Sequence, residues 1–157
     1  RKTCPDATVE VLIPDFGGSR TALNTVCDAK PDVLNHNIET VRRLTEVVRN
    51  RARYKTSLEV LSTARELMPE GRVKSGLMLG LGESMDEVHR AMRDLRAAGV
   101  DTLTIGQYMQ PSRDALPVSE YVHPDHFEYL AHEGEEMGFE KVFAGPLVRS
   151  SYKAGEI

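Results

Sequence analysis

Between Val73 and Gly99 the chain spells out one complete folding unit. Val73 to Leu79 is an apolar run of strand length that ends in Gly80, Leu81 and Gly82. Ser84 then stands as an N-cap, and Glu87, three residues on, completes a capping box. The helix that follows runs to about Ala98 and stops at Gly99, a glycine just past a C-terminus. A strand that turns tightly into a capped helix constrains the fold, because the strand after the helix then returns parallel to the first. Glycines at such a turn let a ligand approach the backbone, and the helix start presents free N–H groups there. An ordinary strand-to-helix turn has the same pattern, so the rest of the chain decides its use.

The alternation continues on both sides. Val9 to Ile13 reads as a buried strand ended by Pro14, and Arg20 to Asp28 as a short helix. Asp32 to His36 is a second strand, running into the string NHNIET. Thr40 to Asn50 carries Val41, Leu44, Val47 and Val48 at helical spacing, and Ser57 to Met68 repeats the pattern. Thr102 to Met109 is a fourth strand with a polar end, and a loop crosses from it to Pro124, which begins a helix to about Gly138. Phe139 to Ala144 is a fifth strand, and the tail LVRSSYKAGEI shows no periodicity. The chain is therefore α/β with a parallel sheet, either doubly wound or part of a (β/α) barrel of the TIM type.

Composition removes several classes. The 157 residues are one domain's worth, and 40% apolar with 28% charged residues is ordinary for a globular protein. A net charge of −4 without a dense Lys/Arg block speaks against nucleic acid as partner. No apolar stretch reaches the roughly 18 residues that span a membrane, and RKTCPDATVEV has no signal-peptide apolar region. The two cysteines, Cys4 and Cys27, form no CxxC pair and no disulfide framework, which fits a reducing, cytoplasmic setting.

Polar residues choose between the two sheet types. His36, Asn37 and Glu39 follow the second strand, Gly80 and Glu83 the third, and Gln107 and Tyr108 end the fourth. All lie at carboxyl ends of strands, where a barrel builds its site. Five strands are too few to close an eight-stranded barrel, so the chain reads as the back portion of one. Alternation sends Asn35 and Asn37 to one face and His36 to the other. A carboxylate such as Glu39 can accept both hydroxyls of a ribose, although Asn in turns and Glu near a helix start are also ordinary loop chemistry. The five histidines show no metal spacing, and most read as solvated. Lys74 starts its strand, the wrong end of a barrel for Schiff-base chemistry, and reads as structural.

The strings VLIPDF (Val11 to Phe16), PDVLNHNIETV (Pro31 to Val41), YKTSL (Tyr54 to Leu58), KSGLMLGLGE (Lys74 to Glu83), IGQYMQPS (Ile105 to Ser112) and GPLVRSSY (Gly145 to Tyr152) occur in one order over nearly the whole chain. Together they resemble the C-terminal part of the lipoyl synthase family of radical S-adenosylmethionine (SAM) enzymes. NHN is shared with biotin synthases, whereas IGQYMQPS with a terminal RSSY is specific to lipoyl synthases.

The resemblance implies a partial radical SAM barrel over 1–146 and a tail over 147–157 bearing RSSY. It implies insertion of two sulfur atoms, at C6 and C8, into an octanoyl chain carried by a lipoyl domain or H protein. One 4Fe-4S cluster would cleave SAM to a 5′-deoxyadenosyl radical, a second would supply the sulfur, and a reductant such as ferredoxin or flavodoxin would feed electrons. By the family's pattern Ser150 is a ligand of the second cluster, and an alkoxide is a harder ligand than thiolate. By similarity to biotin synthase, Asn37 and Glu39 lie against the SAM ribose, and the backbone around Gly80 with Gln107 and Tyr108 lines the adenine. Tyr54 and Ser57 approach the methionine end, where biotin synthase has an arginine at the position of Ser57. Arg53 is then a substitute for the carboxylate contact, and Arg149 would neutralise charge beside the second cluster.

The family's six cluster cysteines are not in this chain, and Cys4 and Cys27 fall on none of their positions. The chain alone is therefore expected to bind no cluster and to be inactive. A non-catalytic module binding a lipoyl domain or a partner barrel half is the alternative. A barrel enzyme using Glu39 or Glu83 in acid–base work lacks a second carboxylate at a defensible distance.

Overall fold

A computed structural model describes residues 2–152 and Gly155. In chain order its elements are β1 (Glu10–Leu12), α1 (Arg20–Asp28), β2 (Val33–Asn35), α2 (Thr45–Val48), α3 (Tyr54–Leu67), β3 (Arg72–Leu79), α4 (Met85–Ala97), β4 (Thr102–Gln107), α5 (Pro124–Glu136) and β5 (Lys141–Gly145), with 3-10 turns at Phe16–Gly18 and Arg42–Leu44. The strands form one five-stranded parallel sheet in the order β1-β2-β3-β4-β5. Each crossover steps in the same direction, and right-handed crossovers then leave the helices on one face. A doubly wound sheet needs a reversal of strand order, and the described strands contain none.

The core lies between that face and the helices. Leu34, Val73, Leu77, Leu103 and Ile105 point into it and meet Leu61 of α3, Met92 and Leu95 of α4 and Phe127 of α5, all buried. Alternation sends Glu10, Asn35, Lys74, Gly76, Thr104 and Gly106 to the opposite face, together with the apolar Val33, Met78 and Phe143. At its amino end Lys74, wholly buried, reaches Glu10 Oε1 at 3.1 Å and Oε2 at 3.0 Å. The Asn35 amide donates to the same carboxylate at 3.2 Å. Lys74 is structural, as its position in the strand implied.

Local signals account for the helix starts. Ser84 Oγ accepts from Glu87 N at 3.3 Å and Glu87 Oε2 accepts from Ser84 N at 2.9 Å, the reciprocal capping box. Arg43 forks onto the same carboxylate at 2.8 and 2.9 Å and, with the Ser84 N–H, holds its pKa down to about 2. The loop after β2 is thereby tied to α4. Pro124 opens α5 at a position where its missing N–H costs nothing.

The expected helix over Thr40–Asn50 is not one helix. It divides into the turn Arg42–Leu44 and the single-turn α2. Thr45, Val47 and Val48 are β-branched, a weak basis for a longer helix. Arg49 leaves helical geometry at φ −137 and sends its guanidinium back to the Asn37 carbonyl at 3.0 Å. The second strand is three residues rather than the expected Asp32–His36, and α3 begins at Tyr54 rather than Ser57. The tail turns at Gly145–Val148 and again at Arg149–Tyr152. Lys153, Ala154, Glu156 and Ile157 of the expected irregular tail lie outside the described residues.

Candidate functional site

A cleft of about 170 Å³ opens on the helix-free face near the carboxyl ends of β3 and β4. Asn37 and Glu39 enter it from the segment after β2, Gly76 and Thr104 form its floor, and Arg149 and Ser150 close it from the tail. Chain segments more than a hundred residues apart thus share one small space.

Glu39 is held there in left-handed backbone, φ 68. Such geometry costs a non-glycine residue about 1–3 kcal/mol and persists only where neighbours over-determine it. They do so here. Glu39 N donates to Gly76 O at 2.9 Å and Glu39 O accepts from Met78 N at 2.8 Å, so β3 grips the residue from both sides. Burial pushes the Glu39 carboxyl above its ordinary value, against the opposing pull of the Asn37 amide and the Arg49 guanidinium. Beside it, Asn37 Oδ1 is buried with no hydrogen-bond partner.

A buried acceptor without a donor, next to a carboxylate whose pKa burial raises, is suited to neutral donors. Vicinal hydroxyls of a sugar supply them. Gly76 keeps the floor flat enough for this, since a Cβ there would stand 2.8 Å from Asn37 Oδ1 and 3.0 Å from Thr104 Oγ1. These residues fit the ribose of a nucleoside cofactor. They do not make a cluster site: among the described residues no three His, Cys, Asp or Glu come together that could hold a metal. Cys4 is exposed and Cys27 is buried in the helix-side core, as free thiols.

Two N–H donors of the glycine turn after β3 are taken within the chain. Glu83 Oε1 accepts from Gly80 N at 2.6 Å and Oε2 from Leu81 N at 2.9 Å, so the protein's own carboxylate occupies those donors. That also removes Glu83 as a free acid–base group. Gly80, at φ +95, is packed against the chain, because a Cβ there would lie 2.2 Å from Gln107 Nε2 and 2.4 Å from Glu120 O.

Gln107 borders the cleft, but its amide is spent on backbone. Its Nε2 donates to Leu79, Tyr108 and Glu120 carbonyls at 3.0–3.2 Å, and Oε1 accepts from Val122 N at 3.0 Å. The buried Tyr108 donates its hydroxyl to Leu116 O at 2.8 Å. Both side chains pin the loop between β4 and α5 across the strand ends.

Tyr54 and Ser57 are not brought to the cleft. Ser57 lies on the helix side, its Oγ 2.9 Å from His36 Nε2, while His36 Nδ1 is 3.0 Å from Ile13 O. A carbonyl only accepts, so Nδ1 carries the proton and Ser57 donates to Nε2. Burial holds this imidazole below its ordinary pKa. The expectation of solvated histidines therefore fails at His36, whereas His123, His126 and His132 are exposed. Tyr54 donates to Asp94 Oδ2 at 3.0 Å under the Arg42 guanidinium, and burial, reinforced by Asp94, pushes its pKa up. Arg53 pairs with Glu46 on the surface.

Sequence reasoning named Asn37, Glu39, Gln107, Arg149 and Ser150, all of which border the cleft. It missed Gly76, Thr104 and Gly106, although alternation along β3 and β4 places them on the face of Asn37. Arg49 had no signal, because its reach depends on where α2 ends.

Residues 2–95, Asn37 and Glu39 among them, match the Radical SAM superfamily. Proteins named lipoyl synthase from Symbiobacterium thermophilum and Rubrobacter xylanophilus are each 55% identical to this chain over 156 residues, 99% of it and 49% of theirs. One from Flavobacterium psychrophilum is 54% identical over 98% of this chain and 53% of its own length. The chain spans about half the length of the curated relatives it matches. With the superfamily match extending over more than half of its residues, this chain belongs to the radical SAM superfamily.

Proposed function

We propose that this chain supplies the SAM-ribose contact and the tail serine of a lipoyl synthase, the enzyme that inserts sulfur at C6 and C8 of a protein-bound octanoyl chain. The sequential parallel sheet with its helices on one face is then one side of a (β/α) barrel, and the helix-free face is the barrel interior. The observation that carries the reading is the shared cleft, where Asn37 and Glu39 meet Ser150.

In this reading Glu39 accepts the ribose hydroxyls, Asn37 Oδ1 takes a further donor, and Arg49 steadies the segment that presents both. Bound SAM supplies the hydrogen-abstracting radical. Ser150 stands ready on the same side as a ligand to the auxiliary cluster, with Arg149 beside it. The cluster cysteines belong to a segment outside this chain, and so does the chemistry that depends on them. The octanoylated lipoyl domain or H protein is the macromolecular substrate, and ferredoxin or flavodoxin the electron source. A reducing cytoplasm suits the two free thiols, and no helix among the described residues is long and apolar enough to cross a membrane.

The test combines the chain with the cysteine-bearing half of a lipoyl synthase, reconstituted clusters, reductant, SAM and an octanoylated lipoyl domain. Formation of 5′-deoxyadenosine and lipoyl product is expected. Complete absence of 5′-deoxyadenosine, with clusters verified spectroscopically, overturns the reading.

A further inference from the structure

The tail reaches the cleft over two glycines, Gly145 and Gly106, and packs its Tyr152 ring edge-on against Phe143, 6.1 Å between centroids. After β5 the chain turns, with Val148 N donating to Gly145 O at 3.0 Å, and Tyr152 N closes a second turn on Arg149 O at 2.8 Å. Leu147 is 84% exposed, yet Val148 beside it is only 7% exposed. The buried valine crosses Gly106. A Cβ at Gly106 would lie 2.2 Å from Val148 O, 3.2 Å from its carbonyl carbon and 3.4 Å from Arg149 Nη1. Arg149 Nη1 in turn donates to Val148 O at 2.7 Å. Gly106 pairs in register with Gly145, where a Cβ would lie 3.4 Å from Val148 Cγ2.

Gly106 is not among the glycines with positive φ. Its backbone conformation suits any residue, so the need for glycine comes from what lies above it. What lies above is tail backbone, which cannot rotate aside as a side chain would.

We propose that Gly106 is the seat of the C-terminal tail and thereby the positioning residue for Ser150. A methyl group at Gly106 lifts Val148, and with it Ser150 two residues on, out of the cleft shared with Asn37 and Glu39. The role of Ser150 rests on the function proposed above; the seat itself does not. Gly76 provides the contrast, because a Cβ there meets the ends of the Asn37 and Thr104 side chains and not the tail.

Hydrogen exchange of the whole chain, read by mass spectrometry on peptides covering 146–152 and 72–79, tests this. Gly106→Ala is expected to speed tail exchange about tenfold or more while β3 stays protected. Gly76→Ala is expected to leave tail exchange at the wild-type rate. Val148→Asp approaches the seat from the other side and is expected to free the tail as Gly106→Ala does, which keeps the test decisive if the alanine variant fails to fold. Wild-type tail exchange in Gly106→Ala or in Val148→Asp overturns the proposal. So does tail exchange that rises only together with β3, since Gly106 would then serve sheet packing. A wrong role for Ser150 shows elsewhere: Ser150→Ala would keep its tail protection and would leave sulfur insertion in the reconstituted system unchanged.

Discussion

On β3, Leu77 and Gly76 are neighbours in sequence that serve opposite masters. Leu77 is sealed among α3, α4 and the adjoining strands, and Gly76 lies bare beneath Asn37 and Thr104. The same holds one strand over, where Ile105 is buried in the core and Gly106 carries the tail. Helix-side positions hold large apolar groups whose burial drives folding. Around the cleft itself Gly76, Thr104, Gly106 and Asn37 contribute little burial and leave room, while larger apolar residues of that face, such as Val33 and Phe143, lie away from it. Strand geometry makes this division possible, because alternate residues face opposite ways and can be chosen independently.

The division is not complete, and the largest expected effect tests where it fails. Lys74 and Glu10 stand on the cleft side but at its amino end, away from the site. Lys74→Met leaves the carboxylate without its cation and is expected to cost about 3–5 kcal/mol in denaturant unfolding, with much of this recovered when Glu10→Leu is added. A loss under about 1 kcal/mol would mean the pair is as dispensable as a surface one. Leu103→Ala on the other face, away from the cleft, is expected to cost about 2–5 kcal/mol by cavity formation. SAM binding per folded molecule should not change, and equilibrium dialysis checks that.

Asn37→Ala and Glu39→Gln reverse this pattern. Each is expected to weaken SAM binding about tenfold or more, through loss of an acceptor to the ribose, with unfolding midpoints that do not fall. Equal affinity in wild type and both variants would place the nucleoside elsewhere.

The Glu39 carboxyl also separates the faces by pH. Burial raises its pKa above 4.5, so its ionisation opposes folding. Its contribution to stability is fully present below 4.5 and is lost as pH rises through the raised folded value. Ribose binding through the ionised carboxylate, as proposed, is expected to run the other way and strengthen over the same window. Glu39→Gln should flatten both profiles, and midpoints and SAM affinities measured from mildly acidic to neutral pH would show it. The smallest effect belongs to neither face: Ser84→Ala removes the α4 cap and is expected to cost about 1 kcal/mol in thermal or denaturant unfolding.

Much of the scaffold was legible in the sequence. The limits of α1, the capping box at Ser84 and Glu87, and Pro124 at the start of α5 are local signals, written within a few residues of where they act. The strand-and-helix alternation likewise announced a parallel sheet. The segment after β2 was misread because its apolar spacing is helical, while the pull of Arg49 on Asn37 ends the helix after one turn. At the glycine turn, nothing in GLGE tells that Glu83 folds back onto the two N–H groups in front of it.

By itself, then, the sequence determined the order of elements, the parallel sheet and the chemistry available at the strand ends, because periodicity, caps and turns depend on neighbours along the chain. Only the tertiary structure decided which of those groups meet. It set Ser57 against His36 on the helix side, used Gln107 to hold a loop, and laid the tail over Gly106 beside Asn37 and Glu39. Such contacts join residues 13 or more positions apart, and their geometry comes from packing a twisted sheet against its helices, which no local pattern encodes.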